Sequence, residues 1–512
     1  MNYKLLGRIL GKIMIMEGIL MLLPLIVSFI YKEPIQNKIA FIVPICALVL
    51  LGGLMQVPQL KRASLYQKEG FALVGLVWII MALFGAIPFA INREIPRYID
   101  ACFEMMSGFT TTGASVINDV TLLSHSSLFW RTFSHWIGGM GILVFVLIFI
   151  PESNDGSSMH LLRAESPGPK VGKISSKMKV TARILYLIYL CLTATEIIIL
   201  LCDKNMVPAP YNNDRVFYSI LASFGSAGTG GFGFIPNSIE LFSPFSQYVI
   251  SIFLIFFGCN FALYYLILLG KVKDVFRSEE FRTYFLIILS SITIIFISLC
   301  SKMQGIYTIE ESFRHSLFQV ASILTTTGYS TTNFNMWPEI AKTVLMILMF
   351  TGAMAGSTAG GIKLSRIVMA VKGSYVNVRK LINPRYVPKS KFEGKILEEK
   401  TTNDVFSFFT MYLFVLILST LLLSFDPING SSFAIQTDLG TDIGTHGFLT
   451  NFSASLSCIS NIGPAFEAVG PYSSFASYND FSTIVLMLVM LLGRLEILPV
   501  LILFTPRTWK RI

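Results

Sequence analysis

Charge is scarce in this chain of 512 residues: Asp, Glu, Lys and Arg together make 14% of it, against 53% hydrophobic residues. A soluble core of this length needs far more polar surface, so the long apolar runs read as membrane spans of about 20 residues each. Backbone groups inside a bilayer must be satisfied within the chain, which makes α-helix the expected element. Cysteine is scarce too: seven residues, none in a C-x-x-C pair, which excludes a disulfide framework and a zinc site. Five scattered histidines form no H-x-x-x-H. The formal charge of +10 raises the question of nucleic acid, but the distribution of the basic residues argues against it. The first apolar run, about 5–30, is too long for a signal h-region and has no clear cleavage site, so it reads as a retained span.

What is present is ten apolar segments, near 5–30, 40–58, 70–92, 128–150, 181–202, 244–270, 283–300, 338–371, 402–425 and 481–505. Lys and Arg crowd into alternate connections. One set holds Lys4, Arg8 and Lys12; Lys61, Arg62 and Lys68; Arg163 to Lys179; Lys271 to Arg282; Lys363 to Lys400; and Arg507, Lys510 and Arg511. The other set holds only Lys32, Lys38, Arg93, Arg97, Lys204, Arg215, Lys302 and Arg314. By the positive-inside rule the first set is cytoplasmic and both termini are inside.

Four outside connections share one form: a helix-length, semi-apolar segment, a glycine-containing polar turn, and a short link to the next span. The turns are TTTGAS (Thr110–Ser115), GTGGFG (Gly228–Gly233), TTTGYS (Thr325–Ser330) and SNIGPA (Ser460–Ala465). A unit of span, short helix, turn and span thus occurs four times, from near residues 70, 181, 283 and 402. The expected fold is an all-α polytopic membrane protein with four such repeats around a central pore, in pseudo-fourfold symmetry. Two extra N-terminal spans occupy 1–68. The repeats occupy 69–180, 181–280, 281–400 and 401–512.

Non-helical backbone is tolerated at membrane depth only where protein covers it or it lines a water-filled path. Four turns on one axis can present rings of carbonyl oxygens that replace the water around a cation. The C-terminal ends of the short helices favour positive charge nearby. The aligned glycines are Gly113, Gly231, Gly328 and Gly463, and the candidate ion ligands are Thr111, Thr112 and Gly113; Gly230 and Gly231; Thr326, Thr327 and Gly328; and Asn461, Ile462 and Gly463. A polar surface loop is the bland account of any one turn; it does not explain four in the same slot.

These pieces carry a resemblance. SGFTTTGAS, GTGGFGF, TTTGYSTTNF, SNIGPAF, AGSTAGGIKLSR and GRLEIL together resemble the Trk/Ktr/HKT potassium-transporter superfamily, and its bacterial TrkH/TrkG type most. The two extra N-terminal spans point the same way, and nearly the whole chain is covered. The resemblance implies potassium uptake across the bacterial inner membrane, with K+ transported and bound in the filter. It also implies a homodimer of pore subunits, gated by a cytosolic nucleotide-binding ring of the TrkA type. No nucleotide is expected on this chain itself. Passive flux, and symport with protons or sodium, both stay open. The second and fourth turns depart from TTTG, so the filter is expected to be chemically uneven.

FTGAMAGSTAGGIKLSR (Phe350–Arg366) interrupts the eighth span, and Gly352, Gly356, Ser357, Thr358, Gly360 and Gly361 are poor residues for a helix interior. A P-loop would need Lys where Ile362 stands. Close helix packing through small residues is an alternative; an unwound segment below the filter accounts better for Ser357 and Thr358, and the resemblance implies a gate there. Arg494 and Glu496 lie inside the last span. Intramembrane charges usually face a bundle interior or cavity, so Arg494 is expected at the pore, with an ion pair to Glu496 or to a distant carboxylate such as Glu104 as the structural alternative. Glu104 could place negative potential behind the filter or pair locally. Arg131, His135 and Lys342 are expected to snorkel to the interface. The basic run Lys363 to Lys400 is expected to be a solvated loop that docks a regulatory partner or anionic lipid.

Three function classes compete: a potassium permeation protein, a carrier with broken helices in two inverted halves, and an intramembrane enzyme. Repeats of one orientation favour the first. The G-x-S pattern ending at Ser115 has no evident His or Asp partner, which speaks against the last.

Overall fold

A computed structural model describes residues 3–57, 67–141, 178–383, 391–437 and 440–497, with 500, 503, 505 and 506. The basic residues Lys61, Arg62, Arg163 to Lys177, Arg507, Lys510 and Arg511 lie outside the described residues, as do 142–150 of the fourth expected span.

Two helices precede the repeats: Tyr3–Leu20, continued by Leu22–Ile30, and Ile35–Leu54. They pack through facing glycines. A Cβ added to Gly11 would stand 2.7 Å from the Gly52 carbonyl oxygen, and one on Gly52 2.6 Å from that of Gly11. Small residues let helices approach closely in lipid, where apolar burial gives no drive.

The four repeats follow in order. Each opens with a long apolar helix: Gln67–Asn92, Met178–Cys202, Glu279–Lys302 and Glu399–Leu423. In Glu279–Lys302 one face, Leu286, Leu289 and Ile297, is exposed, while Tyr284, Ile288, Ile295 and Leu299 are buried. An apolar exposed face on a helix of this length is a lipid-facing one. The short helices Tyr98–Phe109, Arg215–Gly228, Ile309–Leu324 and Phe448–Ser460 come next and are buried almost throughout their last turns.

The second spans differ from the expectation of uninterrupted helices at 128–150, 244–270 and 481–505. They are helical over His125–Gly139, Pro244–Phe257, Glu339–Phe350 and Asp480–Arg494, and every one breaks after 12 to 15 residues. At 1.5 Å per residue that is about 18–23 Å, short of the ~30 Å hydrocarbon core. In the second repeat the chain bends by 90° at Gly258–Asn260 before helix Phe261–Leu268. In the third it forms the loop 351–363 before helix Leu364–Ile382. Their starts are capped in three repeats by Ser124, Ser243 and Asn479, whose side chains accept from the amides of Ser127, Ser246 and Ser482.

Among the described residues two small antiparallel hairpins accompany the helices, Lys391–Phe392 with Lys395–Ile396 and Ser432–Thr437 with Gly440–Thr445. The stretch Lys363 to Lys400 is therefore not the solvated loop expected: most of it is helix and hairpin, and Lys363, Ser365 and Arg366 at its start are buried.

Candidate ion pathway

The four polar turns adopt one backbone conformation. Each short helix ends at a residue in the left-handed region, Thr111, Thr229, Thr326 and Asn461, with φ of 55°, 53°, 55° and 57°. The residue after it turns its amide back to the carbonyl five positions earlier. These bonds are Thr112 to Ser107 at 2.8 Å, Gly230 to Gly225 at 3.0 Å, Thr327 to Ser322 at 2.8 Å and Ile462 to Ser457 at 3.0 Å. Then comes the glycine, again left-handed: Gly113, Gly231, Gly328 and Gly463 have φ of 80°, 65°, 88° and 104°. Three threonines at positive φ are outliers for a β-branched residue, of the kind that costs roughly 1–3 kcal/mol and clusters at functional sites.

The glycines also fix how the turns meet. A Cβ on Gly113 would lie 1.9 Å from the Gly230 carbonyl oxygen, one on Gly231 2.0 Å from that of Thr327, one on Gly328 2.0 Å from that of Ile462, and one on Gly463 2.7 Å from that of Thr112. Each glycine thus abuts the carbonyl of the following repeat, and the fourth returns to the first. The result is a closed ring in chain order, and its four glycines line a cavity of ≈ 640 Å³ that opens on the side of the short links. No cluster of three His, Cys, Asp or Glu occurs among the described residues; the turns bring together backbone carbonyl oxygens and threonine hydroxyls.

The walls of the ring are uneven. The first and third turns carry a hydroxyl pair, Thr110 with Thr112 and Thr325 with Thr327, both at 2.8 Å. The second has glycine in those places, and the fourth has Ser460, bonded to Tyr412 at 2.7 Å, and Ile462. Asn461 crosses to the first turn and donates to the Thr112 hydroxyl at 2.9 Å. Behind the third and fourth turns, Ser322 donates to the Tyr329 carbonyl at 2.6 Å and Ser457 to that of Gly463 at 2.8 Å.

Arg131 and His135, expected at the interface, are instead buried behind the first two turns. Arg131 forms an ion pair with Glu104 at 2.5 Å, donates to the Gly233 carbonyl at 2.6 Å and to Ser115 at 2.9 Å, and lies 3.9 Å from the Phe232 ring centroid. Glu104 also accepts from the Val116 amide at 3.0 Å. His135 Nδ1 sits 2.8 Å from the Gly108 carbonyl, and its Nε2 accepts from the Phe232 amide at 3.3 Å. The pair therefore staples the first turn to the second. A buried ion pair needs further hydrogen bonds around it, and here each guanidinium nitrogen of Arg131 and each carboxylate oxygen of Glu104 has a partner. Lys342 differs: it pairs at 2.6 Å with exposed Glu339.

Below the ring lies the loop 351–363. Gly352 donates to the Ile362 carbonyl at 2.7 Å and closes its neck. At its tip the Gly360 amide donates to the Thr326 hydroxyl at 2.6 Å, and a Cβ on Gly360 would meet the Ser460 carbonyl oxygen at 2.7 Å. Of the residues singled out in this segment, Thr358 and Gly360 reach Arg494 and the turns; Gly356 packs on Asn260, and Ser357 bonds back to Met354. Arg494 joins three repeats. It donates to the Thr111 hydroxyl at 2.9 Å, to the Thr358 carbonyl at 3.1 Å, and to those of Gly138 and Gly139 at 2.5 and 3.1 Å. The carboxylates considered for it are engaged elsewhere, Glu104 with Arg131 and Glu496 with Arg366 at 2.6 Å.

Sequence reading missed the bend at Gly258–Cys259–Asn260, which holds the loop: Met354 donates to the Gly258 carbonyl at 3.2 Å and Phe261 to that of Gly356 at 3.0 Å. The signal was present, since Asn260 is a helix N-cap, accepting from the Ala262 amide at 2.9 Å, in the middle of an apolar run.

A ring of four glycine turns, each at the end of a buried short helix between two spans, defines an integral membrane protein of the four-repeat, pore-helix class. The chain belongs to the TrkH family of cation transport proteins, whose model matches residues 37–511. It is thus a transport protein and not an enzyme. It is 32% identical over 519 residues to a Trk system potassium uptake protein, TrkH, of Salmonella typhimurium, all of both chains being covered. It is 32% identical over 494 residues to TrkG of Escherichia coli K12, covering 96% of this chain and 95% of that one. Its fold is similar to the crystal structure of the potassium transporter TrkH from Vibrio parahaemolyticus, with a TM-score of 0.84 and 28% identity over the whole of both chains.

Proposed function

We infer that this chain takes up potassium across a bacterial inner membrane through the axis of its four turns, with both termini in the cytoplasm. The observation that carries this reading is the closed ring of Gly113, Gly231, Gly328 and Gly463, each against the next repeat's carbonyl. Such a ring fixes carbonyl positions without help from flexible side chains, which is what replacing an ion's water shell requires. The likeness to potassium uptake proteins over full length supports the choice of ion. The repeats act as four walls, 69–180, 181–280, 281–400 and 401–512, beside the N-terminal pair 1–68. The filter ligands are Thr111, Thr112, Gly113, Gly230, Gly231, Thr326, Thr327, Gly328, Asn461, Ile462 and Gly463. The loop with Gly352, Gly356, Ser357, Thr358, Gly360 and Gly361 is the gate. It is biased by a cytosolic nucleotide-binding ring of the TrkA type, while this chain binds no nucleotide and works as a homodimer in lipid.

Flux of K+ and Na+ into liposomes holding the purified protein tests the reading. K+ entry well above Na+ entry is expected; equal entry, or none with the regulatory ring present, overturns it. Deleting Ala355–Ala359 shortens the gate and is expected to raise flux without a partner while leaving the K+ preference intact. A folded deletion mutant that stays closed counts against the gate, and one that loses selectivity moves the segment into the filter.

Arg494 places a fixed positive charge beneath the turns. At an effective dielectric near 20, two unit charges ~4 Å apart repel by about 4 kcal/mol, and pore water lowers this. Arg494→Gln is expected to raise basal cation flux several-fold. A mutant that folds and leaks no more than the parent removes Arg494 from the barrier.

A further inference from the structure

Helix Leu364–Ile382 leaves the loop with no cap of its own: Lys363 stands at the N-cap position, and its side chain makes no capping bond. The first amides of a helix need acceptors. Here a neighbouring helix provides one. Glu280, buried in the first turn of Glu279–Lys302, accepts on one carboxylate oxygen from the Ser365 amide at 3.1 Å and from the Ala355 amide at 2.7 Å. One oxygen thus joins two points ten residues apart, on either side of the loop tip that touches Thr326 and Arg494.

The helix bearing Glu280 is capped by Ser278, whose hydroxyl accepts from the Phe281 amide at 3.2 Å, and the hairpin adds a further acceptor. Glu393, exposed in the hairpin Lys391–Ile396, accepts from the Ser278 hydroxyl at 2.8 Å and from the Glu280 amide at 3.0 Å. Lys372 fastens the same hairpin, donating to the Lys391 carbonyl at 2.7 Å and pairing with Glu279 at 2.5 Å. Hairpin, helix end and loop therefore form one connected chain of hydrogen bonds.

We propose that Glu280 is the positioning residue that latches the loop 351–363 under the filter turns, and that Glu393 on the hairpin is the contact through which movement on the cytoplasmic side loosens that latch. The proposal rests on the gate reading above. With the latch lost, the Ala355 and Ser365 amides have no acceptor in place and the loop ends separate.

Glu280→Ala, Glu280→Gln, Glu393→Ala and the Ala355–Ala359 deletion, each in liposomes without a partner, test it together with hydrogen exchange over 355–366. Glu280→Ala is expected to raise basal K+ flux about tenfold, which is about 1.4 kcal/mol of lost bias, with the K+ over Na+ ratio unchanged. Glu280→Gln keeps an oxygen able to accept both amides and is expected to restore most of the closure. Glu393→Ala, at an exposed position, is expected to give a smaller rise in flux and faster exchange at 355–366. A folded Glu280→Ala protein with parental flux, beside a leaking deletion mutant, overturns the latch and leaves the gate standing. Silence in both removes the gate and the latch with it. Should Glu280→Ala fail to fold, unchanged exchange and flux in Glu393→Ala overturn the proposal.

Discussion

Gly113→Ser is expected to reach the membrane and to lose most of its discrimination between K+ and Na+. Two costs act at this position. With φ at 80° any side chain is strained, and a Cβ would lie 1.9 Å from the Gly230 carbonyl oxygen. Left-handed backbone costs an L-residue roughly 1–2 kcal/mol, which a folded protein can absorb. The contact cannot be absorbed in place, so the second turn's carbonyl must move, and that carbonyl is one wall of the ring. The geometry also ranks the repeats. At Gly463 the clearance to the Thr112 carbonyl oxygen is 2.7 Å, so Gly463→Ser should be the milder lesion. Gly305, with φ of 90° and nothing within 4 Å, isolates the backbone strain, and its serine variant should keep the parental ratio. Reversal potentials in mixed K+ and Na+ measure all three. Unchanged ratios in folded Gly113 and Gly463 variants would remove the glycines from the filter.

The largest loss of stability is expected from Arg131→Met. Arg131 and Glu104 are both essentially inaccessible, at 1% and 0% side-chain exposure, and 2.5 Å apart. Removing one partner leaves the other buried and uncompensated, typically at about 3–5 kcal/mol. The Ser115 hydroxyl and the Val116 amide still reach Glu104, which places the loss at the lower end of that range. Thermal unfolding in detergent should show a large drop in midpoint, and adding Glu104→Gln should recover part of it by removing the stranded charge. An unshifted midpoint in the single variant would mean that the pair does not hold the first turn to the second.

Much of this protein was legible in one dimension. Apolar runs of span length in a chain with few charges admit only helices in a bilayer, because unpaired backbone is too costly there. The four-fold recurrence of helix-length segment and glycine turn gave the repeat, and the glycine alignment 113, 231, 328 and 463 is the one that closes the ring. The loop at 351–363 was legible as well, since glycines crowd there in a span. Three things only tertiary structure decided. The breaks in the other second spans were hidden, because a lone Gly258 or Gly493 in an apolar run also fits a continuous helix; the backbone at Gly258 packs against Tyr284, Thr325 and Ala353 of the third repeat, and that at Gly493 against the Ile459 carbonyl of its own repeat's short helix. The burial of Arg131 and His135 was hidden because position along a span does not say which face a side chain takes, and Glu104, the partner that makes burial tolerable, sits 27 residues away. The acceptor for helix Leu364–Ile382 was hidden for the same reason: Glu280 lies 85 residues before Ser365. Periodicity and composition report local preference and orientation to lipid, whereas pairing a buried charge or an orphan amide depends on what the fold brings alongside it.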